Sequence, residues 1–498
     1  MDKSHQIDRQ HCLLLALTLI LALALRLLLL GHKPFWADEG STWWMALGEV
    51  KYQAPRIYYY AFNWSIQLFG WNEFAGRFPA VLYGVISVLL VYLICRNVWG
   101  KRIALLGCLL AAISPYLVAV SQEMRHYSLA GMLLLAAIWC IADILKTQRF
   151  SPYWWAGLLI ISLLGQFTHC FFILFLGCAC LTFLVYFGLR QWRRWLPMML
   201  VTLATLLSQI HLVLSTLSLA GTRPNVMAAN LTSYLDNVYH LGLSLYCFLF
   251  GNYIIHYPDD ISHALLGNPA GFGTASFMAV VWVSVVIAAF IGLHQCWKQN
   301  DSVKPVIYLL GISSLFFGVL FTVINVSTPV HLIFVFIPFL LLLSGGLFIR
   351  KNRLAWIIFC TLLLTSGVAL VDHYNRETSA YDQSDWRAAG QYLSEHQQPD
   401  DAVLFMRARD AYYALKFYDR DLPEQVYYRP RHEPDTLTTR YPRTWWNSRT
   451  LDDKVEELSA QHSRLWVVET IKGWSPQDSL DIQTTQIGKY LQLHLKER

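Results

Sequence analysis

Up to residue 372, apolar positions fall into long, nearly unbroken runs. They do not show the alternation of a half-buried strand or the one-sided stripe of a surface helix. A helix that crosses a bilayer needs about 20 mainly apolar residues. On that measure the runs predict eleven spanning helices, near 11–30, 78–97, 103–120, 128–145, 154–169, 171–189, 196–219, 275–297, 306–325, 330–349 and 354–372. The first run is too long for a cleaved signal peptide, so it is read as a retained span. Beyond residue 372 the pattern changes. Asp385 to Glu395, Arg409 to Tyr418 and Leu451 to Gln461 read as helices, and Ala402 to Met406, Gln425 to Tyr428 and Leu465 to Thr470 as strands. That alternation predicts a small α/β layer domain. The expected fold is a polytopic α-helical membrane region, 1–372, followed by a soluble α/β domain, 373–498.

Charge orients these elements. Basic residues cluster in alternate turns: Lys3/Arg9, Arg96/Lys101/Arg102, Lys146/Arg149, Arg190/Arg193/Arg194, Lys298/Lys304 and Arg350/Lys351/Arg353. Cytoplasmic turns of a membrane protein carry this excess. The intervening segments, 31–77, 121–127, 168–170, 220–274, 326–329 and 373–498, are then expected outside. This makes a multi-pass protein of the plasma (inner) membrane with a cytoplasmic N-terminus. Composition agrees. Of 498 residues, 55% are hydrophobic and 14% charged, and the mean hydropathy is +0.38, which excludes a disordered or disulfide-stapled chain. Of the 33 acidic residues, 20 lie in 373–498. The net charge of +6 resides mostly in short turns and forms no basic stripe, so no nucleic-acid partner is expected. None of the ten cysteines lies beyond residue 372, and Cys178-Ala-Cys180 has no second metal-type pair.

Candidate chemistry gathers in the segments expected outside. Asp38 and Glu39 stand together in Phe35-Trp36-Ala37-Asp38-Glu39-Gly40-Ser41. Adjacent carboxylates repel and aromatic neighbours desolvate them, which suits a base; the same residues fit a solvated loop with interfacial aromatic anchors. Gln122-Glu123-Met124-Arg125-His126-Tyr127 forms a very short turn. An arginine fork there suits a phosphate, with Glu123 to orient it, or else its charges sit among lipid headgroups. His169 stands in the turn between the fifth and sixth runs. Arg77 opens the second run and meets either headgroups or a substrate phosphate. Arg26, near the outer end of the first run, is expected to snorkel. Gln209 and His211 read as interhelical hydrogen bonds. Clustered carboxylates could hold a divalent metal, but no ligand set is legible.

These stretches resemble glycosyltransferase family 39, the protein O-mannosyltransferase and lipid A aminoarabinose transferase-like members of the GT-C class. Trp36 to Ser41 resembles the family's first-loop Asp-Glu motif. Ile57-Tyr58-Tyr59-Tyr60, Leu68-Phe69-Gly70 and Arg77-Phe78-Pro79 follow in the family's order. Gln122 to Leu129 resembles its Glu-x-Arg-x-Tyr pattern, Phe167-Thr168-His169 its Thr-His turn, and Asp385-Trp386-Arg387 the opening of its external domain. Two positions depart: Ala54-Pro55-Arg56 stands where many relatives have His-Pro-Pro, and His331 where an arginine is expected. The resemblance implies transfer of a monosaccharide from a polyprenyl-phosphate carrier to a hydroxyl acceptor on a lipid, glycan or protein, with inversion. Asp38 and Glu39 would be catalytic. Glu123, Arg125, Tyr127, Arg77 and His331 would bind the donor phosphate, and His169 is a further site candidate. The rival reading, a polytopic transporter or lipid flippase, would place ionisable groups at the bilayer midplane and repeat its halves. The spans here are nearly free of acids, and no internal repeat is seen.

The topology is directly testable. A reporter fused after Arg498 is expected to score as external, and one inserted between Arg102 and Ile103 as cytoplasmic. Both on one side would overturn the eleven-span arrangement.

Overall fold

The computed structural model describes residues 3–49, 57–147, 150–210, most of 283–323, 332–348, 353–377, 384–398 and, from 401 onward, the elements given below. His211, His331, residues 211–219 of the run expected at 196–219 and most of the run expected at 275–297 lie outside the described residues. The chain forms two compact units: Met1–Leu30, Gln53–Ala61 and Arg77–Asn375 in the first, and Gly31–Tyr52, Phe62–Gly76 and Arg376–Arg498 in the second.

The first unit is helical. Its described helices are α1 (Lys3–Leu27), the start of α3 (Ile57–Phe69), most of α4 (Glu73–Trp99), α5 (Lys101–Ile113), α6 (Pro115–Ser121), α7 (Tyr127–Thr147), α8 (Pro152–Thr168), α9 (Phe172–Phe187), α10 (Trp192–Ser208), α11 (Lys304–Val323), α12 (Ile333–Phe348) and α13 (Arg353–Asn375). Among the described residues, four helices are long and apolar enough to cross a membrane: Arg9–Leu27, Glu73–Trp99, Tyr127–Thr147 and Ala355–Asn375. Two bent pairs add to them, α5 with α6 at 58° and α9 with the segment Leu189–Ser208 at 111°. The chain is a multi-pass membrane protein.

The run at 103–120 was expected to be one span, yet it breaks at Ser114-Pro115. Pro115 has no N–H, and its ring crowds the carbonyl four residues back, that of Ala111. Ser114 starts α6 afresh, its hydroxyl accepting from the Leu117 N–H at 3.3 Å. The carbonyls left behind at the end of α5 need donors, and Arg26 supplies them. Its guanidinium is fully buried and donates to Ala112 O at 3.1 Å, Ala111 O at 3.4 Å, Ala22 O at 3.0 Å and Ser121 Oγ at 3.3 Å. The expectation that Arg26 snorkels is thus corrected: the proline break draws the charge inward.

The second unit holds a five-stranded sheet of β1 (Asp401–Phe405), β2 (Gln425–Tyr428), β3 (Arg464–Glu469), β4 (Ile482–Ile487) and β5 (Leu491–Glu497), in the order β2-β1-β3-β5-β4. β1 runs parallel to β2 and β3, while β5 is antiparallel to β3 and β4. Parallel neighbours need a crossover; α15 (Arg409–Tyr418) lies between β1 and β2 in the chain, and α14 (Trp386–His396) precedes β1. All five residues of β1 are buried, as suits a strand covered on both faces. One face is packed by Trp386, Leu393, Leu415 and Trp466, the other by Val455, Leu458 and Leu465.

This unit also contains α2 (Ala37–Leu47) from the first loop. Gly40 lies so close to the backbone of Ala414 in α15 that a Cβ there would overlap it. Trp44 Nε1 donates to Tyr413 O at 3.1 Å and Trp71 Nε1 to Phe417 O at 3.1 Å. Phe35, Trp43, Trp71 and Phe417 form one aromatic cluster, with centroid spacings of 4.7 to 5.7 Å. Glu73 Oε1 accepts from Arg387 Nη2 at 2.6 Å and from the Tyr418 hydroxyl at 2.9 Å.

Arg26→Leu is expected to leave the α5 carbonyls without their donor. An unsatisfied buried acceptor costs about 1–3 kcal/mol, so the melting temperature in detergent should fall clearly, with Arg26→Lys recovering part. Unchanged melting would mean that water serves those carbonyls.

Candidate active site

In the second unit the two carboxylates sit in the first turn of α2, not in a loop as the sequence suggested. Trp36 is extended (φ −82°, ψ 169°) and begins the helix; its N–H donates back to Glu39 Oε2 at 3.3 Å. This is the return half of a capping box, with Glu39 at the third helical position. Gly48, at φ 83°, ends the helix in the left-handed conformation open to glycine. Glu39 is fully buried, whereas Asp38 is half-buried. The main-chain carbonyl of Asp38 accepts from Ser41 Oγ at 3.0 Å and Thr42 Oγ1 at 2.8 Å. Successive helix positions point about 100° apart. The two acids therefore diverge: Glu39 turns back to cap its own helix and Asp38 leaves on another side. Both profit from the positive end of the helix dipole.

In the first unit the other candidates gather around the turn between α6 and α7. The Arg125 N–H donates to the Glu123 carbonyl at 2.8 Å, which makes the turn tight. Glu123 is buried and Arg125 half-buried, with its guanidinium 5.7 Å from the centroid of the Tyr127 ring. His126 lies 4.3 Å from Tyr127, 5.2 Å from His169 and 5.4 Å from Tyr58, between centroids. His169 occupies the break between α8 and α9, where its Nδ1 accepts from the Phe171 N–H at 3.2 Å. The ring hydrogen is therefore on Nε2. Gln166 Oε1 bridges the same break by accepting from the Ile173 N–H at 3.0 Å. Tyr58 donates to the Tyr59 hydroxyl at 2.8 Å. Burial, with Tyr59 beside it, pushes the Tyr58 phenol well above the usual tyrosine range, so it stays protonated.

The structure thus joins Arg125, Tyr127 and His169 in one cluster, with Glu123 in the same turn. It adds Tyr58 and His126, which residue type and motif alone do not mark as site residues. Guanidinium, imidazole and phenol donors converging in this way suit an oxyanion. Arg77 is buried in the same unit and donates from Nη1 to Leu30 O at 3.0 Å. Among the described residues no three His, Cys, Asp or Glu side chains converge.

Three kinds of similarity bear on this arrangement. The sequence profile of the dolichyl-phosphate-mannose-protein mannosyltransferase family matches residues 53–218, 166 of the 498 residues. YkcB of Bacillus subtilis (strain 168), named only provisionally as a mannosyltransferase, is 31% identical over 104 residues, which is 21% of this chain and 14% of that protein. The chain therefore aligns with only a small part of that relative's length. ArnT from Cupriavidus metallidurans matches in structure over 98% of both chains in its apo state, at a TM-score of 0.59 and 13% identity. Its undecaprenyl phosphate complex matches over 97% of both chains, at 0.56 and 12%. The oligosaccharyltransferase AglB of Archaeoglobus fulgidus, with an inhibitory peptide and a dolichol-phosphate, matches over 84% of this chain and 64% of its own, at 0.51 and 11%. Profile and fold agree with the motifs read from the sequence: residues 53–218 are similar to the mannosyltransferase family, and the chain shares the fold of ArnT.

Proposed function

We propose that the protein is an integral-membrane glycosyltransferase that moves a monosaccharide from a polyprenyl-phosphate carrier to a hydroxyl acceptor. The observation that carries this reading is the agreement of fold with ArnT along nearly the whole chain, including the ArnT structure that binds undecaprenyl phosphate. The mannosyltransferase profile supports it, because its span of 53–218 contains Arg77, Glu123, Arg125, Tyr127 and His169.

The reaction breaks the bond between the anomeric carbon and the phosphate oxygen and forms one to the acceptor oxygen. The acceptor must lose a proton, and the carrier phosphate must leave with its charge stabilised. Asp38 takes the proton as general base. Glu39, tied to the start of α2, orients that turn. Arg125 receives the developing phosphate charge, and its planar fork matches two phosphate oxygens at once. Tyr127, His126 and His169 offer further donors beside it, and Arg77 and His331 complete the set of candidate phosphate ligands. A base aligned on the acceptor gives a single displacement with inversion. The second unit and the active site face the outside of the membrane in this reading.

Asp38→Asn keeps size but removes basicity, and sugar transfer from a polyprenyl-phosphate donor should fall by about 10²–10⁴ while donor binding changes far less. Glu39→Gln should do less harm. Normal transfer by Asp38→Asn beside a dead Glu39→Gln would exchange the two roles, and normal transfer by both would remove the first loop from the chemistry. Arg125→Ala should lower transfer by about 10²–10³, with Arg125→Lys recovering only part. Full activity in Arg125→Ala would move the phosphate to Arg77 or His331.

A further inference from the structure

The turn that carries Glu123 and Arg125 runs only from Gln122 to His126, and it is tied at both ends. On its far side, Ser128 Oγ donates to Ala80 O at 2.8 Å. On its near side sits Gln122, the residue that ends α6. Its amide nitrogen faces three carbonyls, Leu28 O at 2.8 Å, Arg26 O at 3.0 Å and Leu25 O at 3.4 Å. These lie at the end of α1, where carbonyls have no partner within the helix.

Three acceptors around one atom settle which end of the amide is nitrogen, since only the NH₂ group can donate to them. The amide oxygen then points the other way, and His373 Nε2 lies 2.7 Å from it. That oxygen can only accept, so the His373 Nε2–H donates. His373 is buried near the end of α13, and its neighbour Tyr374 donates its hydroxyl to Leu25 O, one of the same carbonyls. The end of α13, the end of α1 and the start of the Arg125 turn therefore share one hydrogen-bonded knot built around a single glutamine.

From this arrangement we infer that His373 is a positioning residue for Arg125. Its N–H fixes the Gln122 amide, the amide locks the near end of the turn onto α1, and Arg125, three residues on, is held where it meets the carrier phosphate. The inference rests on the assignment of Arg125 to that phosphate. A helix-end bond of purely structural purpose would look the same in a static view, but it would not depend on Arg125.

The test uses the full-length protein in detergent, with undecaprenyl phosphate as the probe and melting temperature followed for each variant. His373→Leu should weaken binding about tenfold, within the coupling expected of residues in one hydrogen-bond network. His373→Gln carries an N–H donor at a similar reach and should restore most of the affinity. In an Arg125→Ala background, His373→Leu should cost less than about twofold, because the group it positions is gone. Unchanged binding by His373→Leu, or the same tenfold loss in the Arg125→Ala background, would overturn the positioning role. Wild-type affinity in Arg125→Ala alone would overturn the phosphate assignment itself, and the inference with it.

Discussion

A buried carbonyl left unpaired is costly, so every helix that ends inside the protein must find a donor for its last turn. This protein meets that demand by reciprocal capping. Pro115 breaks the third apolar run, and Arg26 of α1 reaches across to the carbonyls of Ala111 and Ala112. In return Gln122, about two turns beyond the break, reaches back to the carbonyls that end α1. Each helix supplies the side chain that the other's terminus lacks. The bend of 58° is the geometric result, and it creates both the short helix α6 and the tight turn after it. The placement of Glu123 and Arg125 follows from a proline two helical turns earlier.

The second unit is held together by other means. Its first-loop helix touches α15 backbone to backbone, at a position that only glycine fits. Around that contact, tryptophan N–H groups find main-chain carbonyls and the rings pack edge to face. Aromatic side chains combine large apolar area with one polar handle, which suits a buried seam between two polar backbones. Arg387, Tyr418 and Glu73 close the seam with charge-assisted bonds to one carboxylate oxygen. The aromatic residues beside Asp38 and Glu39 therefore serve protein packing, rather than anchoring a loose loop at a lipid interface.

Long runs such as 78–97 and 128–145 were legible because a spanning helix needs only length and apolarity, and both appear as α4 and α7. Arg409 to Tyr418 and Gln425 to Tyr428 were legible for a different reason: the hydrophobic period changes sharply at their ends. The break at Ser114-Pro115 was visible as a proline but not as a bend, because some membrane helices tolerate proline where a neighbour satisfies the freed carbonyls. That neighbour, Arg26, is about 90 residues away in the chain, and no local pattern connects the two. The hairpin of β4 and β5 was missed because residues such as Gln483, Thr484, Thr485 and Gln486 are polar, and an antiparallel ladder is stabilised by a partner strand rather than by its own pattern. In the candidate site, Arg125 and His169 stood out by residue type. His126 and Tyr58 did not, since only tertiary structure brings their rings to 5.4 Å.

Charged groups are scarce in this chain, and their surroundings sort them by role. Arg26 is buried against main-chain carbonyls, acceptors that fold with the protein and never leave. Arg387 is held by Glu73 in the same lasting way. Arg125 is half-buried on a tight turn, its guanidinium 5.7 Å from the centroid of the Tyr127 ring and in the same turn as His126. The same division separates the adjacent acids, because Glu39 closes the first turn of α2 and a cap cannot also swing toward an acceptor. Two neighbouring carboxylates that seemed equivalent in sequence become unequal once the helix begins at Trp36. The helix start, more than any property of the carboxyl groups themselves, makes Asp38 the better candidate for the proposed base.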